Sequence, residues 1–129
     1  MTMTVRLVVG LVVGLLCAAL IAYAGFSAMR GLWPEYAVAE PTKAYTLAML
    51  LARLALGVVV VAGGGGAALL CADDPRMGWW FGGLFFAGSA PLHLYLIWQD
   101  YPWWYHLAYL GYIIPVAVGT ARFMRRFRG

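Results

Sequence analysis

With 129 residues, 64% of them hydrophobic and 11% charged, and a mean hydropathy of +0.82, the chain lies far outside the balance of soluble domains and reads as a polytopic membrane protein. Its length fits one all-α bundle and leaves no room for a separate soluble catalytic domain. The net charge of +4 does not point to nucleic acid, because Arg122, Arg125, Arg126 and Arg128 cluster directly after an apolar segment, where they suit a cytoplasmic anchor facing anionic lipid.

The first segment, Val5 to Met29, is apolar throughout and long enough to span roughly 30 Å of hydrocarbon. Arg6 and the small residues around Ala22–Ala24 imitate a signal peptide, but the run exceeds a typical signal core, so a retained helix is expected. Gly10 and Gly14 form a GxxxG spacing that permits close helix approach, a common pattern in membrane helices. Arg30 to Lys43 is the longest polar connection, carrying Glu35 and Glu40, with Trp33 and Tyr36 expected at the lipid surface and Pro41 at the start of the next helix.

The second helix is expected over residues 42–72, which is longer than a bilayer requires. Placing its inner boundary at Cys71, beside Asp73 and Asp74, puts Arg53 near the outer headgroups. There it could pair with Asp100 or Glu40, bind a carboxylate or lipid phosphate bidentately, or snorkel. Arg53 shares a helical face with Thr46, Gly57, Val60 and Gly64, which reads as the packed face. Gly63 to Gly66 serve either close packing or a bend.

A third helix is expected over residues 78–98, kinked at Pro91, and a fourth over residues 102–124. The turn between them, Gln99 to Pro102, is crowded by Trp98, Tyr101, Trp103, Trp104 and Tyr105 as an interfacial belt. His93 and His106 stand almost equidistant from this turn, so an antiparallel hairpin places both imidazoles in one layer. They are candidates for a proton, ion, metal or haem site. Alternatively, each is an interfacial residue bonded to Ser89, Tyr109 or a carbonyl. Tyr105, Tyr109 and Tyr112 recur on one face of the fourth helix as packing residues. Cys17 and Cys71 lack CxxC spacing and read as apolar filler.

Counting Lys and Arg beside the spans favours both termini inside, with Arg6, Arg76 and the C-terminal arginines cytoplasmic and Arg30 and Lys43 outside. The polar candidates Arg53, Ser89, His93, Asp100, His106, Glu35 and Glu40 then gather toward the outer half.

The hairpin, with P-x-H in the third helix and Y-P-W-W-Y-H opening the fourth, together with AMLLARLALG in the second, resembles a set of small four-helix bacterial inner-membrane proteins. The resemblance spans roughly residues 42–120, implies the same membrane fold and carries no activity with it. Small multidrug transporters share the size but use a glutamate in the first helix, which Val5 to Met29 lacks; the polar and phenylalanine pattern of fluoride channels is not evident either. No Ser-His-Asp order, Walker loop, GxGxxG or HExxH is present, so no enzyme activity is indicated. The expected function is an outward-facing polar pocket that binds or passes a small solute, ion or lipid, with a homo-oligomer anticipated. An accessory or assembly subunit of a larger membrane complex is the alternative, and a haem- or metal-binding protein using His93 and His106 a third. The sequence specifies no cofactor.

Overall fold

A computed structural model describes residues 1–128. Of these, 88% are helical and none forms a strand, as the all-α reading expects. Helix α1 (Met3–Leu32) is opened by Thr2, whose hydroxyl accepts from the Val5 amide at 3.2 Å. It stops at Trp33, held extended by the following Pro34. Pro34 then starts the short helix α2 (Pro34–Ala39), and a 3₁₀ turn over Glu40–Thr42 ends at Lys43, whose φ of 59° reverses the chain.

Helix α3 (Leu47–Cys71) begins later than expected. Residues 42–46 are turn and cap, and Pro41 belongs to the 3₁₀ turn. The Thr46 hydroxyl accepts from the Met49 amide at 3.3 Å, while Met49 Sδ accepts from the Thr46 amide at 3.4 Å. The shortened helix rises about 38 Å, closer to a bilayer's thickness than the longer expectation. It runs unbroken through Gly63–Gly66.

Helix α4 (Met77–Pro91) ends its regular α-helical winding at its proline. Pro91 has no N–H to offer the Ala87 carbonyl, and the chain widens into a π turn over Leu92–Leu96, in which the Ile97 amide donates to the Leu92 carbonyl at 3.1 Å. A 3₁₀ turn (Trp98–Asp100) leads into helix α5 (Trp103–Arg128), which carries Pro115 internally. Three helices, α1, α3 and α5, are long and apolar enough to cross a membrane by length and composition.

Glycines set the packing. Helices α1 and α3 meet backbone to backbone: a Cβ on Gly10 would stand 2.8 Å from the Ala68 carbonyl oxygen, and one on Gly14 2.7 Å from that of Gly64. Gly78 likewise brings α4 against α5, where a Cβ would lie 2.9 Å from Val118 Cα. Phe81, Val61, Leu69, Met77, Ile113 and Ala117 fill the space between these seams and are fully buried. At one end of the bundle lie Asp74–Arg76 and Asp73–Arg125 ion pairs and the C-terminal arginines; at the other lie α2, Lys43 and the Arg30–Glu40 pair.

Candidate functional site

The site occupies the α2 end and is built around Arg53 on α3. One turn below it, Gly57 lacks the side chain that would collide with the Tyr112 hydroxyl, so α5 comes close and brings Tyr105 to the guanidinium. Helix α2 folds back to deliver Tyr36, and the α4–α5 turn delivers Tyr101. Arg53 Nη1 donates to the Tyr36 hydroxyl at 2.5 Å, Nη2 to Tyr101 at 2.8 Å and Nε to Tyr105 at 3.2 Å. Its Cζ also lies 4.6 Å from the Phe26 ring centre and 5.1 Å from those of Tyr45 and Tyr101. Three of the five guanidinium N–H groups are thereby used, leaving one on each terminal nitrogen.

Among the described residues, no carboxylate stands within ion-pair distance of Arg53. The expected pairing with Asp100 or Glu40 is not formed. Glu40 bonds Arg30 at 2.5 Å instead, and despite its partial burial that bond holds the Glu40 carboxyl below the usual range. Nor does Arg53 snorkel freely, because the tyrosines enclose it. Tyr36, expected at the lipid surface, is fully buried; burial pushes its hydroxyl up to about 12, so it meets Arg53 as a neutral acceptor. Tyr36, Tyr45, Tyr101 and Tyr105 stack in succession, with ring centres 5.8, 5.5 and 4.6 Å apart. The Tyr45 hydroxyl is a buried side-chain polar atom without a partner.

The two histidines meet beneath this collar. His93 Nδ1 and His106 Nδ1 are 2.9 Å apart with the rings nearly perpendicular, and His106 Nε2 lies 3.1 Å from the Trp98 carbonyl. His93 stacks on Tyr109 at 4.4 Å, and His106 on Trp98 at 4.6 Å. Two imidazoles on one tetrahedral zinc would hold their nitrogens roughly 3.3 Å apart, given metal–nitrogen bonds of about 2.0–2.1 Å. The observed contact is a hydrogen bond. Among the described residues, no three His, Cys, Asp or Glu side chains gather as a metal-ligand set.

Two cavities flank Arg53. One, of about 330 Å³, runs between α1, α3, the π turn and α5; Leu15, Ala18, Val60 and Phe85 wall its apolar part, and Arg53, His93, Tyr101, Tyr105 and Tyr109 bring polar atoms to its lining. The other, of about 390 Å³, is a polar mouth lined by Arg30, Glu40, Lys43 and Tyr45. Phe26, Arg53 and Tyr101 line both.

Of the sequence candidates, Arg53 and His93 thus line the apolar cavity, His106 stands behind His93, and Glu40 lies in the mouth. Ser89 and Asp100 are half-buried outside both cavities, and Glu35 is exposed on α2. Sequence reasoning missed Tyr36, Tyr45 and Phe26 as site residues. Pro34 at a helix start was the available signal that the long connection folds and could turn Tyr36 inward. Comparison of the chain with protein-family models, curated proteins and solved structures finds no match.

Proposed function

We propose that this chain is a multi-pass protein of a bacterial inner membrane whose outward-facing pocket binds a single-chain acidic amphiphile, its head at Arg53 and its tail in the apolar cavity. The observation that carries this reading is Arg53 itself. It is a guanidinium fixed by three neutral hydroxyls, with no carboxylate partner and two N–H groups to spare, at the junction of a polar mouth and an apolar cavity. Such a group is organised to receive an oxyanion without first releasing an internal one. The mouth adds Arg30 and Lys43 against Glu40 alone, which favours the approach of anions. A cavity of about 330 Å³ is near the lower end for ligand sites, which suits one chain better than two.

Membrane insertion is supported by the broad apolar outer surface, including Val8, Val12, Leu16 and Leu20 on α1 and Leu51 and Val59 on α3. Four spans, with both termini inside, follow if α4 continues through its π turn: residues 77–96 would rise about 30 Å, and the arginine-rich end would face the cytoplasm. A homo-oligomer, or attachment to a larger complex, would use Gly83, Gly88, Gly111 and Gly119, at which an added Cβ would meet nothing within 4 Å.

The test is equilibrium binding of dodecanoate and lauroyl phosphates to the full chain in phosphatidylcholine nanodiscs. Arg53→Gln should weaken binding roughly 10- to 100-fold, the range for losing a hydrogen bond to a charged group. Unchanged binding in that variant would remove the basis for the reading.

A further inference from the structure

The histidine pair specifies more about the ligand than Arg53 does. A carbonyl oxygen only accepts hydrogen bonds, so the contact between His106 Nε2 and the Trp98 carbonyl requires a proton on that nitrogen. In the neutral ring His106 Nδ1 is then the acceptor, and the proton in the Nδ1–Nδ1 contact belongs to His93. His93 Nε2 is left as a bare lone pair. The residue is only 6% exposed, this nitrogen has no protein hydrogen-bond partner, and His93 lines the apolar cavity. Stacking on Tyr109 fixes the ring plane. A fixed acceptor therefore belongs to the wall of a largely apolar cavity, where an unmatched polar group is costly.

Depth relates this acceptor to the acid site. Arg53 Nε bonds the Tyr105 hydroxyl, and His93 lies over the same Tyr105 ring at 6.4 Å and more closely over Tyr109 at 4.4 Å, so the acceptor stands within about one helical turn of the acid site. Beyond His93 the wall is formed by Val60, Phe85 and Ala18.

Building on the acid-binding reading above, we infer that the cavity selects a single-chain acidic amphiphile bearing a hydroxyl between its acid and its tail, with that hydroxyl donating to His93 Nε2. The shared chemistry has two sources. A 3-hydroxy fatty acid carries its hydroxyl beside a carboxylate, and a lysophosphatidate carries one beside a phosphate. A carbonyl at this depth would face a lone pair and be repelled, because offering it a proton would require a rearranged histidine pair.

The experiment compares ligands on the native full chain in phosphatidylcholine nanodiscs, by competition against a fluorescent twelve-carbon acid. The two pairs are 3-hydroxydodecanoate with dodecanoate, and 1-lauroylglycerol-3-phosphate with its 2-deoxy analogue. The hydroxylated member should bind about tenfold tighter, the worth of one well-placed hydrogen bond. A preference confined to the first pair assigns the carboxylate source, one confined to the second the phosphate source, and His93→Leu should abolish it. Because the comparison is made on native protein, it does not depend on that variant folding. Equal affinity within both pairs, with loss on Arg53→Gln, would overturn the hydroxyl inference and leave the acid site standing. Absence of binding by all four would overturn both.

Discussion

Gly14 and Gly64 oppose each other across the α1–α3 seam, each with its carbonyl oxygen 2.7 Å from where the other's Cβ would stand. Neither backbone can retreat without opening the core, so Gly64→Leu should destabilise the protein by about 1–3 kcal/mol or more through overpacking. Gly83→Ala, where an added Cβ meets nothing within 4 Å, should instead stabilise the monomer by about 0.5–1 kcal/mol. Detergent-denaturation midpoints separate the two. A Gly83→Ala protein that loses mass in native mass spectrometry would place Gly83 at a contact between chains.

Tyr36→Phe removes one acceptor from Arg53 and leaves a half-buried donor unmatched, which should cost about 1–3 kcal/mol. In the Arg53→Gln background the same substitution should cost much less. A double-mutant cycle on unfolding free energies measures the difference, and strict additivity would mean the Tyr36 contact contributes nothing.

A fourth span is testable by labelling. In single-cysteine versions of the chain, a membrane-impermeant maleimide applied to intact cells should label Gln99→Cys and leave Cys71 untouched, since a spanning α4 separates the two positions. Equal reactivity at both would mean that α4 and its π turn do not cross.

At the arginine-rich end, Asp74 Oδ1 accepts from the Arg76 amide at 2.8 Å and from its Nε at 3.0 Å, while Oδ2 accepts from Nη2 at 3.0 Å. These bonds to Arg76 lower the buried Asp74 carboxyl from 3.8 to about 2. Because its affinity for the proton is reduced on folding, the ionised form adds stability that is fully present above about pH 4 and is lost as pH falls toward 2. Unfolding midpoints between pH 5 and 2.5 should decline in the native protein. Asp74→Asn should start lower and decline less.

Much of the frame was legible because it rests on periodicity and symmetry. The equal distance of His93 and His106 from the turn placed them in one layer, and the face shared by Arg53, Gly57, Val60 and Gly64 is a packed one. What one dimension could not show is convergence. Whether two imidazoles at one depth point together depends on the helical phase after Pro91, and the π turn sets that phase. The tyrosine collar was hidden for a related reason. Tyr36 reaches Arg53 across 17 residues and Tyr101 across 48, through connections whose path hydropathy does not encode. The start of α3 was misplaced because Pro41 resembled a helix opener while Thr46, the actual cap, lacks the usual acidic partner three residues on, where Met49 stands.

The π turn at Leu92–Leu96 is geometrically a one-residue insertion absorbed by a helix. Rewinding the same five residues as regular α-helix would rotate everything beyond them by roughly 90°. The Trp98 carbonyl would swing away from His106, and Tyr101 from Arg53. This segment should therefore accept many substitutions at its exposed positions, Leu94, Tyr95 and Leu96, so long as the π winding is kept.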